Sequence, residues 1–166
     1  MGEKIFENLI IRPKNETDQI SIQEIVNMSF SYYLQRFAHR GLNSDGEILV
    51  GQINQKTVGY VKLRIFNINN ETYGAILWLA VHPEYRKNGI ASRLLASGTK
   101  HLKDRNAKMV FATADPKNKA TLTCFKHEQY KKIIFPGVWQ LFKWRSLKGY
   151  FQNWLMSRKV VVIHMP

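Results

Sequence analysis

One stretch limits the folds open to this 166-residue chain more than any other: Gly74 to Leu95, GAILWLAVHPEYRKNGIASRLL. An apolar run reads as a buried strand. A turn follows at His82, Pro83, Glu84 and Tyr85, and Arg86-Lys87-Asn88-Gly89-Ile90-Ala91 then opens into a helical pattern. Strand, basic glycine-containing loop and helix start together suit a bound phosphate. The first helical turn leaves its N–H groups without intrahelical partners, and the helix dipole adds partial positive charge there. Gly89 lets backbone and ligand approach closely. The stretch contains no G-x-G-x-x-G and no G-x-x-x-x-G-K-[ST], so it is neither a dinucleotide fingerprint nor a P-loop.

Around this stretch the pattern alternates. Residues 5–11 read as a first strand stopped by Pro13. Thr17 or Asp18 can cap a helix that repeats apolar residues at Ile22, Ile25, Val26 and Phe30. Residues 29–41, with Tyr32, Tyr33, Arg36, Phe37, His39 and Arg40, read as a second helix or ordered loop. Strands follow at 47–53, 57–66 and 73–81, with turns at 43–46, 54–56 and 67–71. A helix over 90–106 buries Leu94, Leu95, Thr99 and Leu102. A strand at 108–114, a short helix at 118–129, a strand at 130–135, a helical segment at 138–157 and a terminal strand at 159–164 complete the order. Hairpin signals early and strand–helix alternation later predict an α/β (α+β) fold with a mixed sheet rather than a doubly wound one.

A second motif lies downstream: Asn118-Lys119-Ala120-Thr121-Leu122-Thr123-Cys124-Phe125-Lys126-His127-Glu128-Gln129-Tyr130. With R-x-x-G-x-A at Arg86 to Ala91, it resembles the GNAT (GCN5-related) N-acetyltransferases, from roughly Leu9 to Gln129. Ala91 stands where Gly is commoner. In the N-x-x-A-x-x-x-Y-x-x-x-G-F pattern, Thr121 takes the Ala position, Phe125 the Tyr position and Gln129-Tyr130 the Gly-Phe position. The resemblance implies one GNAT-like acetyltransferase domain over residues 1–166, with an aromatic and basic insertion at about 137–158. It implies that the mixed sheet is mostly antiparallel, with helices on both faces.

It also implies acetyl-CoA as co-substrate and a primary amine as acceptor. Arg86, Lys87, Asn88, Gly89, Ile90 and Ala91 would hold the pyrophosphate. Leu79, Ala80 and Val81, beside a bulge that splays the strand, would hold the pantetheine. Asn118 and Phe125 would lie along the cofactor arm. In many members the Tyr replaced by Phe125 protonates the departing thiolate. Here the thiolate leaves unassisted, or Cys124, Tyr130 or water supplies the proton, or the protein binds acyl-CoA without turning it over. Some relatives carry a Glu base on the strand before the loop, where this chain has Ala75, Ile76 and Leu77. The catalytic residues are therefore unassigned. Glu71, Tyr73, Asp115 and Glu47 are the weak candidates for a base, and each also reads as a solvated or hairpin residue. His82 reads as a turn residue. Cys124 falls mid-helix without the neighbours a low-pKa thiol needs. The acceptor is expected near Tyr32, Tyr33 and Phe37, the 67–73 hairpin, and the aromatic insertion.

Composition narrows the partners. The formal charge is +13, which favours anions such as CoA phosphates, nucleic acid, acidic proteins or lipid surfaces without choosing among them. One cysteine excludes an internal disulfide framework and suits a reducing, cytoplasmic setting. No secretory signal or membrane-length apolar run is visible, and no metal-ligand spacing occurs. Val138 to Ser157 holds Trp139, Trp144 and Trp154 with Lys143, Arg145 and Lys148. It reads either as a helix capping the substrate side or a homodimer contact, or as a surface for membrane or nucleic acid. The terminal strand could likewise pair across a dimer. The competing function is a non-catalytic acyl-CoA-binding or membrane/RNA-surface module on the same fold.

Overall fold

The computed structural model describes residues 8–68, 70–133 and 160–164. The aromatic insertion at about 137–158 lies outside the described residues. The elements run β1 (Ile10–Pro13), α1 (Asp18–Ser29), α2 (Tyr32–Leu42), β2 (Glu47–Ile53), β3 (Lys56–Ile68), β4 (Glu71–Val81), a 3-10 turn (Pro83–Tyr85), α3 (Ile90–Lys103), β5 (Met109–Ala114), α4 (Lys119–His127), β6 (Lys131–Ile133) and β7 (Val160–His164). The strands form one seven-stranded sheet in the order β1-β2-β3-β4-β5-β7-β6. Every neighbouring pair is antiparallel except β4 with β5.

Pro13 does not stop the first strand; it closes the ladder, opposite Leu49. An edge strand tolerates proline because the missing N–H can face outward. Thr17 makes no side-chain cap bond. The Asn15 side chain instead accepts from the Asp18 amide at 3.2 Å. Asp18 is 3% exposed and ties three elements together. It accepts from both terminal nitrogens of Arg12 at 2.7 and 2.9 Å, from the Asn15 amide at 2.8 Å and from the Thr57 hydroxyl at 2.5 Å.

Helices cover both faces of the sheet, so β3 loses the alternation expected of a half-buried strand. Val58 through Leu63 are all buried. On one face α3 and α4 pack Ile90, Leu94, Leu95, Leu102, Cys124 and Phe125 over Val61, Leu63 and Ile76. On the other, α1 and α2 pack Ile22, Ile25, Val26, Ala38 and Leu42 over Val50, Tyr60 and Ala80. Lys62 is 1% exposed. Its ammonium donates to the carbonyl oxygens of Ser44 at 2.7 Å, Gly46 at 3.3 Å and Leu42 at 3.5 Å, fastening the turn after α2 to the sheet.

Candidate active site

The site begins with an interruption in β4. Lys62 pairs with Trp78 but Leu63 with Ile76, so Leu77 is an extra residue on the β4 side. Such a bulge bends its strand and reverses which face the following side chains meet. The reversal is visible in the packing: Ile76 belongs to the α3 face and Trp78 to the α1–α2 face. At the same level β4 and β5 part. They pair from Tyr73 opposite Met109 to Ile76 opposite Ala112. Beyond that, β4 stays with β3 through Val81, while β5 stays with β7 through Ala114. The sheet thus opens beside residues 77–81. Leu79, Ala80 and Val81 lie along that opening.

The loop after β4 is anchored at several points. His82 donates its amide to the Val58 carbonyl at 2.8 Å, and the residue is 5% exposed. Arg86 turns back on the scaffold. Its Nε donates to the Val81 carbonyl at 3.0 Å and its Nη2 to the Ser29 hydroxyl at 2.9 Å, joining the loop to the end of α1. The Asn88 amide group donates to the carbonyls of Tyr85 and Arg86. Lys87 and Gly89 both take left-handed backbone, with φ of +64° and +68°. Gly89 is the N-cap of α3, and no side chain caps the first turn. The amides of Ile90 and Ala91 therefore present donors at the mouth of the opening.

Across the opening, Asn118 caps α4 by accepting from the Thr121 amide at 3.1 Å. Its side-chain nitrogen remains a donor. Phe125 does not stand apart from the core: it is 2% exposed, and its ring meets Tyr130 edge-on at 4.9 Å. The Thr99 hydroxyl donates to the Leu95 carbonyl at 2.8 Å and lies 2.6 Å from the Tyr130 hydroxyl. Thr99 has one proton to give, so Tyr130 donates to Thr99, and burial raises the Tyr130 phenol well above its usual range. Cys124 is buried, with Ser92 at 3.3 Å from its sulfur. Burial pushes the thiol up, against a smaller opposing effect of Ser92.

The weak base candidates separate by position. Glu71 and Tyr73 begin β4, at the end opposite the loop. Glu71 stands six residues from Leu77, about 20 Å along an extended strand. The Tyr73 hydroxyl donates to Glu71 at 2.6 Å, which raises the phenol, and Lys108 pairs with the same carboxylate. Glu47 is paired with Arg105 and His101. Burial opposes its ionisation, but those partners lower it. Asp115 follows β5 directly, on the opening side, where it is exposed and accepts from the Lys117 amide at 2.8 Å. Among the described residues no group of three or more His, Cys, Asp or Glu is placed to hold a metal ion, and no helix is long and apolar enough to cross a membrane.

On the α1–α2 side, Trp78 meets Phe30 edge-on at 5.4 Å. A Cβ on Gly41 would come within 2.4 Å of the Trp78 indole nitrogen, so α2 lies directly on that ring. Tyr32, Tyr33 and Phe37 are exposed on the outer side of α2. A bulge stands beside Leu79 to Val81, where the resemblance implies one; the Arg86 tie and the buried Lys62 are the features that sequence reasoning missed. Of these, only the lysine within an apolar strand leaves a mark on the sequence.

Residues 15–128 match the model of the acetyltransferase (GNAT) family. None of the curated protein sequences matches the chain. Among solved structures, one assigned to the GNAT family from Desulfovibrio desulfuricans superposes with a TM-score of 0.71 at 13% identity, over 95% of this chain and 98% of its own. A PaiA N-acetyltransferase from Thermoplasma acidophilum, in complex with coenzyme A, gives 0.67 at 14% identity over 95% and 99%. A NatC complex bound to a Gag peptide and CoA gives 0.67 at 16% identity over 96% and 99%.

Proposed function

Because the chain belongs to the GNAT acetyltransferase family, we propose that it moves an acetyl group from acetyl-CoA to a primary amine in the opening between β4 and β5. The observation that carries this is the coincidence of the Leu77 bulge with the point where β4 and β5 part, followed along the chain by an uncapped helix start at Gly89. The pantetheine arm lies against the backbone of Leu79, Ala80 and Val81, as an added strand would. The pyrophosphate rests on the amides of residues 87–91. Arg86 acts chiefly by holding that loop to Val81 and Ser29. Asn118 offers its side-chain amide to the arm.

The acceptor nitrogen attacks the thioester carbonyl carbon. The C–N bond forms, the C–S bond breaks, and CoA leaves as the thiolate. The surplus proton on nitrogen passes to water or to Asp115, the one base candidate on the opening side. The thiolate leaves without an acid, because Phe125 has no proton to give and the Tyr130 proton is committed to Thr99. The amine enters from the side of Phe30 and Trp78.

Gly89→Asp tests the reading. It sets a carboxylate against the phosphates, and acetyl-CoA affinity by titration calorimetry should fall at least a hundredfold while the circular dichroism stays native. Unchanged affinity would overturn the assignment. Thiol release over a panel of amines, peptides and aminoacyl-tRNA measures turnover. Saturable acetyl-CoA binding with no turnover on any of them favours a binding module instead.

A further inference from the structure

The charge of this chain is not spread evenly. Residues 1–84 hold eight Lys and Arg against nine Asp and Glu, whereas residues 85–166 hold 17 against three. Among the described residues, part of this basic half lies on one face of the sheet. Helices α3 and α4, on the same face, carry Arg93, Lys100, Lys103, Lys119 and Lys126 and no acidic residue within them, though Lys100 is paired with Asp104 at the end of α3 and Glu128 closes α4. On the opposite face, α1 holds Asp18 and Glu24 and no Lys or Arg, and α2 holds Arg36 and Arg40.

Lys132 joins the cationic face. The Tyr130 ring packs on Phe125 of α4 and its hydroxyl on Thr99 of α3. Lys132, two residues on, shares that side by strand alternation. Lys119, Lys126 and Lys132 are exposed. Among the described residues none of the three has a carboxylate within ion-pair distance. Lysines on an edge strand such as β6 also discourage strand addition. That accounts for Lys131 and Lys132 but not for Lys119 and Lys126. Nor does the cofactor account for Lys126, which lies eight residues along α4 from Asn118, about 12 Å.

We propose that the outer face of α3, α4 and β6 is a docking surface for the phosphodiester backbone of a nucleic acid. A second copy of this chain would bring like charge to like charge. A bilayer would need apolar side chains to insert. The exposed large hydrophobics among the described residues are Ile10, Ile20, Met28, Tyr32, Tyr33 and Phe37, none of them on this face. Lysine ammonium groups with no exposed aromatic beside them among the described residues suit phosphates and carry no sequence preference. Lys119 adjoins Asn118 at the rim of the proposed transfer site, whereas Lys126 lies about 12 Å along α4 from Asn118; the surface does not depend on that reading.

The test is fluorescence anisotropy of the full chain with labelled 25-nucleotide RNA and DNA across a salt series, and sedimentation with phosphatidylserine vesicles. Binding to either nucleic acid should weaken linearly in a log–log plot against salt. Lys119→Gln/Lys126→Gln/Lys132→Gln should lower affinity at least tenfold and reduce that slope by about 2–3. Arg36→Gln/Arg40→Gln on the opposite face should leave both unchanged, and Gly89→Asp should keep the nucleic-acid binding it has. Equal losses from both charge variants would overturn the assignment to this face. Competition by acetyl-CoA, binding to vesicles alone, or no binding at low salt would overturn the proposal itself.

Discussion

Gln129 stands with φ at +62°, in a region where glycine is at ease and a β-carbon costs about 1 kcal/mol. It occupies the position after the α4 C-cap. Its amide bonds the Lys126 carbonyl at 3.1 Å, and the next amide, of Tyr130, bonds Phe125 at 2.9 Å, a Schellman closure. Gln129→Gly should therefore stabilise the protein by about 0.5–1 kcal/mol, read as a rise in melting temperature of about 1–4 °C. The sequence already pointed here, since Gln129 replaces the glycine of the resembled motif. Asp18 was legible only as a helix-capping residue, because its partners Arg12 and Thr57 reach it through the fold. Burial works against its charge, but Arg12, Asn15 and Thr57 outweigh it and bring the carboxyl to about 2. A depressed carboxyl contributes stability above its unfolded value and loses it as pH falls towards the folded one. Asp18→Asn should cost about 2–3 kcal/mol at pH 7, and the gap to wild type in urea midpoints should close between pH 4 and pH 2.

At the scale of the element, glycine at position 41 shows helix packing overruling helix propensity. Alanine inside a helix gains about 1 kcal/mol over glycine. At Gly41 the added carbon would meet the Trp78 indole at 2.4 Å, so α2 must lift or the ring must turn. Gly41→Ala should lower stability by about 1–2 kcal/mol, as a reduced urea midpoint at unchanged slope. Element boundaries were readable from periodicity where a turn residue closed them, as at Glu47–Ile53. α3 ends at Lys103, short of the expected Asn106, because a left-handed Asn106 closes it. The resemblance implies a bulge beside Leu79 to Val81, but the residues alone do not locate it at Leu77. It is an extra residue relative to β3, and periodicity within one strand does not record what stands opposite.

At the scale of the molecule, saturating acetyl-CoA should stabilise the native state. At a hundred times the dissociation constant the gain is about 2.7 kcal/mol, a rise of about 5–10 °C in melting temperature that Gly89→Asp should abolish. The mixed sheet was legible because hairpin signals and strand–helix alternation sit in different parts of the chain, and the family resemblance implied the helices on both faces. The order β5-β7-β6 was not, since the last strand enters between two earlier ones. The opening that this arrangement leaves is edged by main chain. Peptide groups are identical from residue to residue, so a socket built from them survives almost any exchange of side chains that keeps the strands apart. Structures 13–16% identical to this chain can then superpose over nearly all of it. The side chains on the outer faces are under no such common demand. Selection can redraw what this protein recognises while the donor seat stays as it is.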